Sequence, residues 1–556
     1  MALLTALYGS DVARPLATTL AGRCEQHRAA HPAPAATRQP LPLTQADALL
    51  IAYADHVQAP DEAPLRTLAD FAQRHLRGVV SGIHLLPFYP SSSDDGFAVK
   101  DFFAVAPEYG TWDDIAHLRA TGFDLMFDGV FNHASAQGDW FRQFLADAPA
   151  YRDFFVTVEG KPDLSAVIRP RALPLLTEFA TAAGPRQVWT TFSADQVDLN
   201  FREPAVLLAV VEAMLCYAAR GARFLRLDAI AFLWKEIGTS CLHRPQTHVI
   251  IRLLRAVLDA AAPHVLLITE TNVPHRDNVS YFGHGADEAQ LVYNFALPPL
   301  VLHSFQTGSA AALTRWAQSL EVPSNATTFF NFLASHDGIG LNPARGLLTD
   351  AEIDALVQRT KERGGFVSYK RLPDGTEAPY ELNINLLDAL APPAVTEPVA
   401  LVARRFLTAH AILLSLAGVP GIYFHSLFGS HGDPAAVTTT NNNRRINREK
   451  LIGARLEAQL TDATSLRAQV FAGMRAWLER RRVSAAFAPS ATQQVRTLDP
   501  RVFTVLREDV AQKERVLCLH NVSADIVPVP LPRWAGEPLH LQPWETRWLA
   551  TPPVRS

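Results

Sequence analysis

Cysteine is scarce: four in 556 residues, at positions 24, 216, 241 and 518. They are too scattered for a disulfide framework, which points to a reducing, cytoplasmic setting. Charge of either sign is also thin. Charged residues make up 19% of the chain and nearly balance, for a formal net charge of −4. A protein built to hold nucleic acid needs a concentrated basic face, so that class is excluded. Long apolar runs are missing. The richest, Ala409 to Ile422, carries His410 and is broken by Gly418, Pro420 and Gly421, short of the roughly 18–20 residues of a membrane span. No basic residue precedes Arg14, so the N-terminus is a poor secretory signal. There is no Gly-rich phosphate cradle of the P-loop type. Cys241 and His243 with His248 have a metal-like look, but no second ligand pair matches them. No oxygen set suits calcium. The expectation is therefore no membrane, no metal and no resident cofactor.

What is present is a repeating pattern. Hydrophobic residues are 48% of the chain, enough for a large core. A helical stretch with Leu16, Leu20 and Cys24 at helical spacing leads into a Pro/Ala-rich connector from His31 to Pro42. Then come eight short apolar runs: 49–53, 82–86, 125–131, 224–227, 265–268, 291–293, 329–334 and 421–424. Each is followed by polar residues and a helical stretch. Continuous hydrophobicity suggests parallel strands buried on both faces, and eight strand–helix units predict an α/β fold, the (β/α)8 or TIM barrel.

The spacing also predicts where the barrel is interrupted. About 90 residues separate the third and fourth runs, too many for one helix and its loops. The expected organisation is an N-terminal extension (1–46), a barrel (47–133, 202–337 and 399–484), inserted subdomains at 134–201 and 338–398, and a small antiparallel β domain at 485–556. Arg480-Arg481-Arg482 reads as a solvated helix end, and Thr438 to Asn443 as a polar loop that serves as hinge or lid.

Several runs end in residues able to do chemistry: Asn132-His133, Asp228, Glu270, Asn294 and His336-Asp337. Barrel enzymes build their sites at these C-terminal strand ends. Three carboxyls, Asp228, Glu270 and Asp337, fit glycosidic chemistry. There one group protonates the leaving oxygen and a carboxylate meets the developing cation, roughly 5–5.5 Å away when the configuration is retained. Arg226 lies two residues before Asp228 and so points to the same face of the strand.

The motifs around these residues resemble those of the α-amylase superfamily. They are Phe127 to His133 (FDGVFNH), Phe224 to Ala229 (FLRLDA), Ile268-Thr269-Glu270 and Ser335-His336-Asp337, in the family's order. The match is closer to the sucrose phosphorylase subgroup through His84–Phe102, Ala229–His248, Glu270–His275, Gly418–Ser430 and Ile446–Glu449. The resemblance runs from about Leu49 onward.

It implies Asp228 as nucleophile, Glu270 as general acid/base and Asp337 as transition-state stabiliser. Arg226 would keep Asp228 ionised. His133 and His336 would hydrogen-bond glucosyl hydroxyls, Asp94 the outer hydroxyls, and Phe97 would pack on the ring. Phe192 and Gln196 match the inserted subdomain's pattern, and Arg448 would close the pocket with Asp94. Arg171 is the candidate for phosphate, with Arg169 behind it. The implied enzyme is a glycosyltransferase, a retaining α-glucoside phosphorylase that works by double displacement, with phosphate as co-substrate and with monomer or homodimer as its state. Sucrose is the first expected substrate. Sucrose 6-phosphate, glucosylglycerol and glucosylglycerate stay open, because the stretch GGFVSYK…PYELNI departs from the bifidobacterial pattern, and Lys370, Arg371 and Arg345 are either partners for a phosphate or carboxylate on the aglycone or surface charges. A hydrolase or transglucosylase on the same barrel, or a non-catalytic sugar-binding barrel, are the rivals.

Overall fold

A computed structural model describes residues 1–32, 41–372, 375–391, 397–511, 513–532 and 537–551. Most of the Pro/Ala-rich connector therefore lies outside the described residues. The eight apolar runs form a closed parallel barrel. Its strands are β1 (Leu49–Ala52), β2 (Gly82–Leu85), β3 (Asp124–Gly129), β4 (Ala222–Leu227), β5 (Leu266–Thr269), β6 (Leu291–Tyr293), β7 (Thr328–Asn331) and β8 (Val419–Tyr423). Each pairs with its neighbours in sequence, and β1 closes the ring against β8, Leu49 opposite Gly421. Almost every strand residue is buried, as expected where helices cover the outside and side chains fill the inside. Gly421 shows how tight that filling is. A Cβ there would stand 2.5 Å from the Phe330 ring.

The helices around the barrel are set by ordinary start signals. Pro204–Ala219 and Pro245–Ala261 each begin with proline, and Glu203 caps the first by accepting from Ala205 N. Helix α1 (Ala2–Ala30) is broken by Gly9 at φ 76° and lies across these two helices, with Leu16, Leu20 and Cys24 buried. Arg23 donates to Leu208 O at 2.8 Å. Among the described residues no helix is long and apolar enough to cross a membrane.

Both long spacings hold small sheets of their own. After β3, His133–Ser135 pairs antiparallel with Gln196–Asp198, and strands Thr157–Val158, Leu176–Thr181 and Gly184–Trp189 make a three-stranded sheet. After β7, Ile339–Gly340, Phe366–Arg371 and Glu377–Asn383 make another, beside helix Asp350–Glu362 with its Thr349/Glu352 capping box. At the end of the chain, Thr492–Asp499, Val502–Glu508, Arg515–Asn521 and Thr546–Thr551 form a four-stranded antiparallel sheet. Val527–Val529 pairs with Leu539–Leu541 beside it. The separate core of Val502, Leu506, Leu517, Leu519, Val527 and Leu541 explains why so short a unit holds together.

Two expectations are corrected. Arg481 is not solvated. It is buried beneath the barrel and donates to the carbonyls of Gln45, Asp47, Gly418 and Phe487, so it ties the chain ahead of β1 to the chain ahead of β8. Burial lowers its pKa to about 9. The Thr438–Asn443 stretch is a loop only in part, since Thr438–Thr440 is helical. Asp433 caps a helix over Pro434–Thr440, ended by Asn441 in the left-handed region.

Candidate active site

The C-terminal ends of the strands open into a cavity lined by residues that follow β2 to β8 and by both insertions. Asp228, Glu270 and Asp337 all face it. Asp228 and Glu270 are 8% and 9% exposed, enough to meet a ligand and too little to be solvated. The chain turns sharply just after the first of them. Ala229 holds φ 49°, a strained value for a residue with a Cβ. That turn aims the Ala229 N–H at Glu270, which accepts it through Oε2 at 3.0 Å.

Arg226 ties the acids together from beneath. Its Nη1 lies 2.9 Å from Asp228 Oδ1 and also contacts Asp128, and its Nη2 is 3.8 Å from Glu270 Oε2. Asp128 and His84, both buried, are hydrogen-bonded at 2.7 Å behind it. Arg226 is the cation that favours the ionised form of Asp228. Burial raises Asp228 well above the ordinary carboxylate range, Arg226 only partly offsets that, and Glu270 and Asp128 add repulsion. Burial also raises Glu270, against the pull of Arg226 and the Ala229 N–H. The two carboxyls therefore hold a proton jointly. The closer Arg226 contact is to Asp228, so the negative charge is favoured there and the proton on Glu270. Asp337 behaves in the opposite way. Burial would lift it, but Arg444, His336 and Arg448 overcome that and hold it well below the usual range.

The structure brings the other expected residues together too. Asp94, Phe97, His133, Phe192, Gln196, His336 and Arg171 all line the cavity. Phe97 is positioned by Gly96 at φ 108°, where a Cβ would meet Pro87 O at 2.5 Å. Its ring stacks on His336, with centroids 4.9 Å apart. His133 donates to Phe97 O at 2.9 Å, Gln196 reaches the same carbonyl at 3.4 Å, and the Phe192 ring lies 5.2 Å from His133. Asp198, Asn132 and Lys235 anchor this corner, with Lys235 Nζ 2.6 Å from Asp198 Oδ2. Arg171 makes no side-chain hydrogen bond or ion pair among the described residues. Arg448 does not line the cavity. It is buried behind the wall, 2.6 Å from Asp95, 3.2 Å from Asp337 and 3.6 Å from Asp94, so Asp95 rather than Asp94 is its nearer partner.

Sequence reasoning missed Arg444. Its Nη1 is 2.6 Å from Asp337 Oδ1, and its Nε and Nη2 fork onto Glu381 at 3.0 and 2.7 Å. Glu381 and Tyr380, from the second insertion, line the cavity with it. The only signal was position. Arg444 stands four residues before Arg448, in a 3-10 turn over Asn443–Asn447. The metal-like trio is dispersed: His243 bonds Tyr281 and His248 bonds Glu288. No metal-binding cluster occurs among the described residues.

A pair of protonatable carboxyls beside a permanently ionised third, in a half-closed pocket, is suited to cleaving an acetal by covalent displacement. Comparison with known proteins agrees. The catalytic-domain model of alpha-amylase matches residues 77–339. The glucosylglycerate phosphorylase of Allomeiothermus silvanus is 56% identical over 81% of this chain and 81% of its own length. A sucrose phosphorylase of Agrobacterium vitis is 32% identical over 72% of this chain and 81% of its own. The crystal structure of a sucrose 6F-phosphate phosphorylase from Thermoanaerobacter thermosaccharolyticum superposes with a TM-score of 0.74 at 25% identity, over 86% of this chain and 94% of that one. The chain belongs to the α-amylase family of (β/α)8 barrels. Within it, the chain is an α-glucoside phosphorylase, a glycosyltransferase of the sucrose phosphorylase type.

Proposed function

We propose that this protein is a glucosylglycerate phosphorylase that converts glucosylglycerate and inorganic phosphate into α-glucose 1-phosphate and glycerate. Sucrose stood first among the aglycones that the sequence left open. The 56% relative favours glucosylglycerate. The observation that carries the reading is Arg171, a guanidinium with no partner among the described residues, facing the cavity beside Tyr380. Glycerate and phosphate are both oxyanions, and an unneutralised arginine suits each in turn.

The reaction then runs in two displacements. An Asp228 carboxylate oxygen attacks the anomeric carbon as the glycosidic C–O bond breaks. Glu270 gives its proton to the departing glycerate oxygen. Asp337, kept ionised by Arg444 and Arg448, grips sugar hydroxyls as positive charge develops on the ring. Phosphate next takes the place of glycerate at Arg171. Glu270 removes its proton, and the phosphate oxygen displaces Asp228 from the anomeric carbon. Two inversions retain the α configuration. Asp94, His133, His336, Phe97, Phe192 and Gln196 shape the glucosyl half, and Arg226 and Arg448 hold the acids from behind. No resident cofactor or metal is needed for these steps. With all four cysteines free, we place the enzyme in the cytoplasm, as a monomer or homodimer.

The test is release of glucose 1-phosphate from glucosylglycerate, sucrose, sucrose 6-phosphate and glucosylglycerol, with and without phosphate. Phosphate-dependent release with the highest kcat/KM on glucosylglycerate is expected. Equal or better use of sucrose would overturn the aglycone. Free glucose at the same rate without phosphate would overturn the phosphorylase.

A further inference from the structure

The serine run ahead of Asp94 (Ser91-Ser92-Ser93) has no part in the steps above. The three residues after it, Asp94, Asp95 and Gly96, all take positive φ, at 52°, 50° and 108°. Two successive left-handed residues with a Cβ are strained, and such a turn persists only where its surroundings hold it. The turn is the tip of a loop whose legs pair at Ser91 and Val99, and it presents both Asp94 and Phe97 to the cavity. Arg448 and Arg445 hold one side of it, 2.6 and 3.1 Å from Asp95. Asp195, from the first insertion, holds the other. Its Oδ2 accepts from Ser92 at 2.6 Å and from Ser93, and its Oδ1 accepts from Ser135 at 3.3 Å. The Ser92 and Ser135 hydroxyls are themselves 2.6 Å apart. A carboxylate only accepts, so it sets the direction of the hydroxyls around it. The Asp195 main chain is pinned as well. Ala136 N donates to Asp195 O at 2.8 Å, and Gln196, next in the chain, reaches Phe97 O at 3.4 Å.

We propose that Asp195 is a positioning residue for the glucosyl pocket. It gathers the hydroxyls of Ser92, Ser93 and Ser135 and so holds the strained turn in the form that aims Asp94 at the outer hydroxyls of the sugar. The inference rests on the reading that places those hydroxyls at Asp94; it does not depend on the aglycone. With Asp195 gone, three hydroxyls lose the acceptor they share, and the turn keeps only its Arg445 and Arg448 side. Asp94 then meets the sugar less often. What falls is the worth of the hydroxyls it binds, while the chemistry at Asp228 and Glu270 is left as it was.

The test compares α-D-glucosyl fluoride with its 4-deoxy and 6-deoxy analogues, with phosphate as acceptor throughout. In the unaltered enzyme, loss of a hydroxyl held by a carboxylate should lower kcat/KM by about 10- to 100-fold. D195A should lower kcat/KM for the full sugar by about 10-fold and leave the sensitive analogue almost unchanged, so that the penalty for the missing hydroxyl shrinks. A general weakening of the fold would slow every donor alike and leave the penalty intact. D195N, which keeps one carbonyl acceptor, should recover part of the loss. In a D94A background D195A should add nothing, because the two act on one path. A D195A penalty equal to the parent's, or a full further loss in the D94A background, overturns the inference. Should D195A melt early, S93A, which removes one hydroxyl from the cluster, carries the same comparison with a smaller shift. An unaltered enzyme indifferent to both missing hydroxyls sinks the placement of the sugar at Asp94, and the inference falls with it. A sensitive parent with an equally sensitive D195A sinks the inference alone.

Discussion

Replacing Glu270 by Ala tests its proposed role as the group that gives and takes the proton. Its cost follows from what the carboxyl touches. Oε2 accepts the Ala229 N–H at 3.0 Å and lies 3.8 Å from Arg226, and neither a backbone amide nor a guanidinium gives up a proton in its place. A positioned general acid is worth about 10²- to 10⁴-fold, or about 2.7–5.4 kcal/mol of barrier. Release of glucose 1-phosphate from glucosylglycerate should fall by that factor. α-D-Glucosyl fluoride leaves without needing a proton, so its first displacement should lose much less. Azide, which needs no base, should accelerate turnover of the variant and yield α-glucosyl azide, because it attacks the same glucosyl-enzyme that phosphate does. Initial rates and product stereochemistry by proton NMR read all of this. A Glu270→Ala enzyme within tenfold of the parent on glucosylglycerate, or one equally crippled on both donors, would refute the assignment.

The other predictions concern the nucleophile, the arginine network and the turn under Phe97. Asp228→Asn should form no glucosyl-enzyme, and a covalent adduct seen by mass spectrometry after quenching would place the nucleophile elsewhere. Arg444→Met leaves the Asp337 and Glu381 carboxylates without the cation they share. Breaking one partner of a buried pair costs about 3–5 kcal/mol, so the urea midpoint should drop markedly, and a loss below about 1 kcal/mol would mean the pair is effectively solvated. Asp337 carries a pH signature. The Arg444 and Arg448 guanidinium groups hold its folded pKa below the usual carboxylate range, so its stabilisation is present above about pH 4 and is lost as pH falls through the folded value. The Tm gap between parent and Asp337→Asn should therefore be full at neutral pH and shrink in acid; a gap that widens in acid contradicts the sign. Gly96→Ala forces a Cβ to 2.5 Å from Pro87 O at φ 108°. It should raise the donor KM several-fold through Phe97, which steady-state kinetics checks.

The barrel was legible because parallel strands buried on both faces must be continuously apolar. Eight such runs need no long-range information to be seen, and the chemistry-bearing residues at their ends were legible for the same reason. What sequence alone misjudged were charges whose partners lie far along the chain. Arg481 reads as one of three solvated arginines, yet the carbonyls it binds belong to residues 45, 47, 418 and 487. Arg444 is an unremarked residue in a polar stretch until folding sets Asp337 and Glu381 on either side of it. The protonation of Asp228 and Glu270 was equally out of reach, since it depends on burial and on one guanidinium shared among three carboxyls. The sequence by itself therefore determined the barrel, the order of its motifs and the three carboxyls that meet in one cavity. Only the tertiary structure decided which arginine serves which acid and left Arg171 facing the cavity without a carboxylate partner among the described residues, because charges interact through space, over distances that separation along the chain does not set.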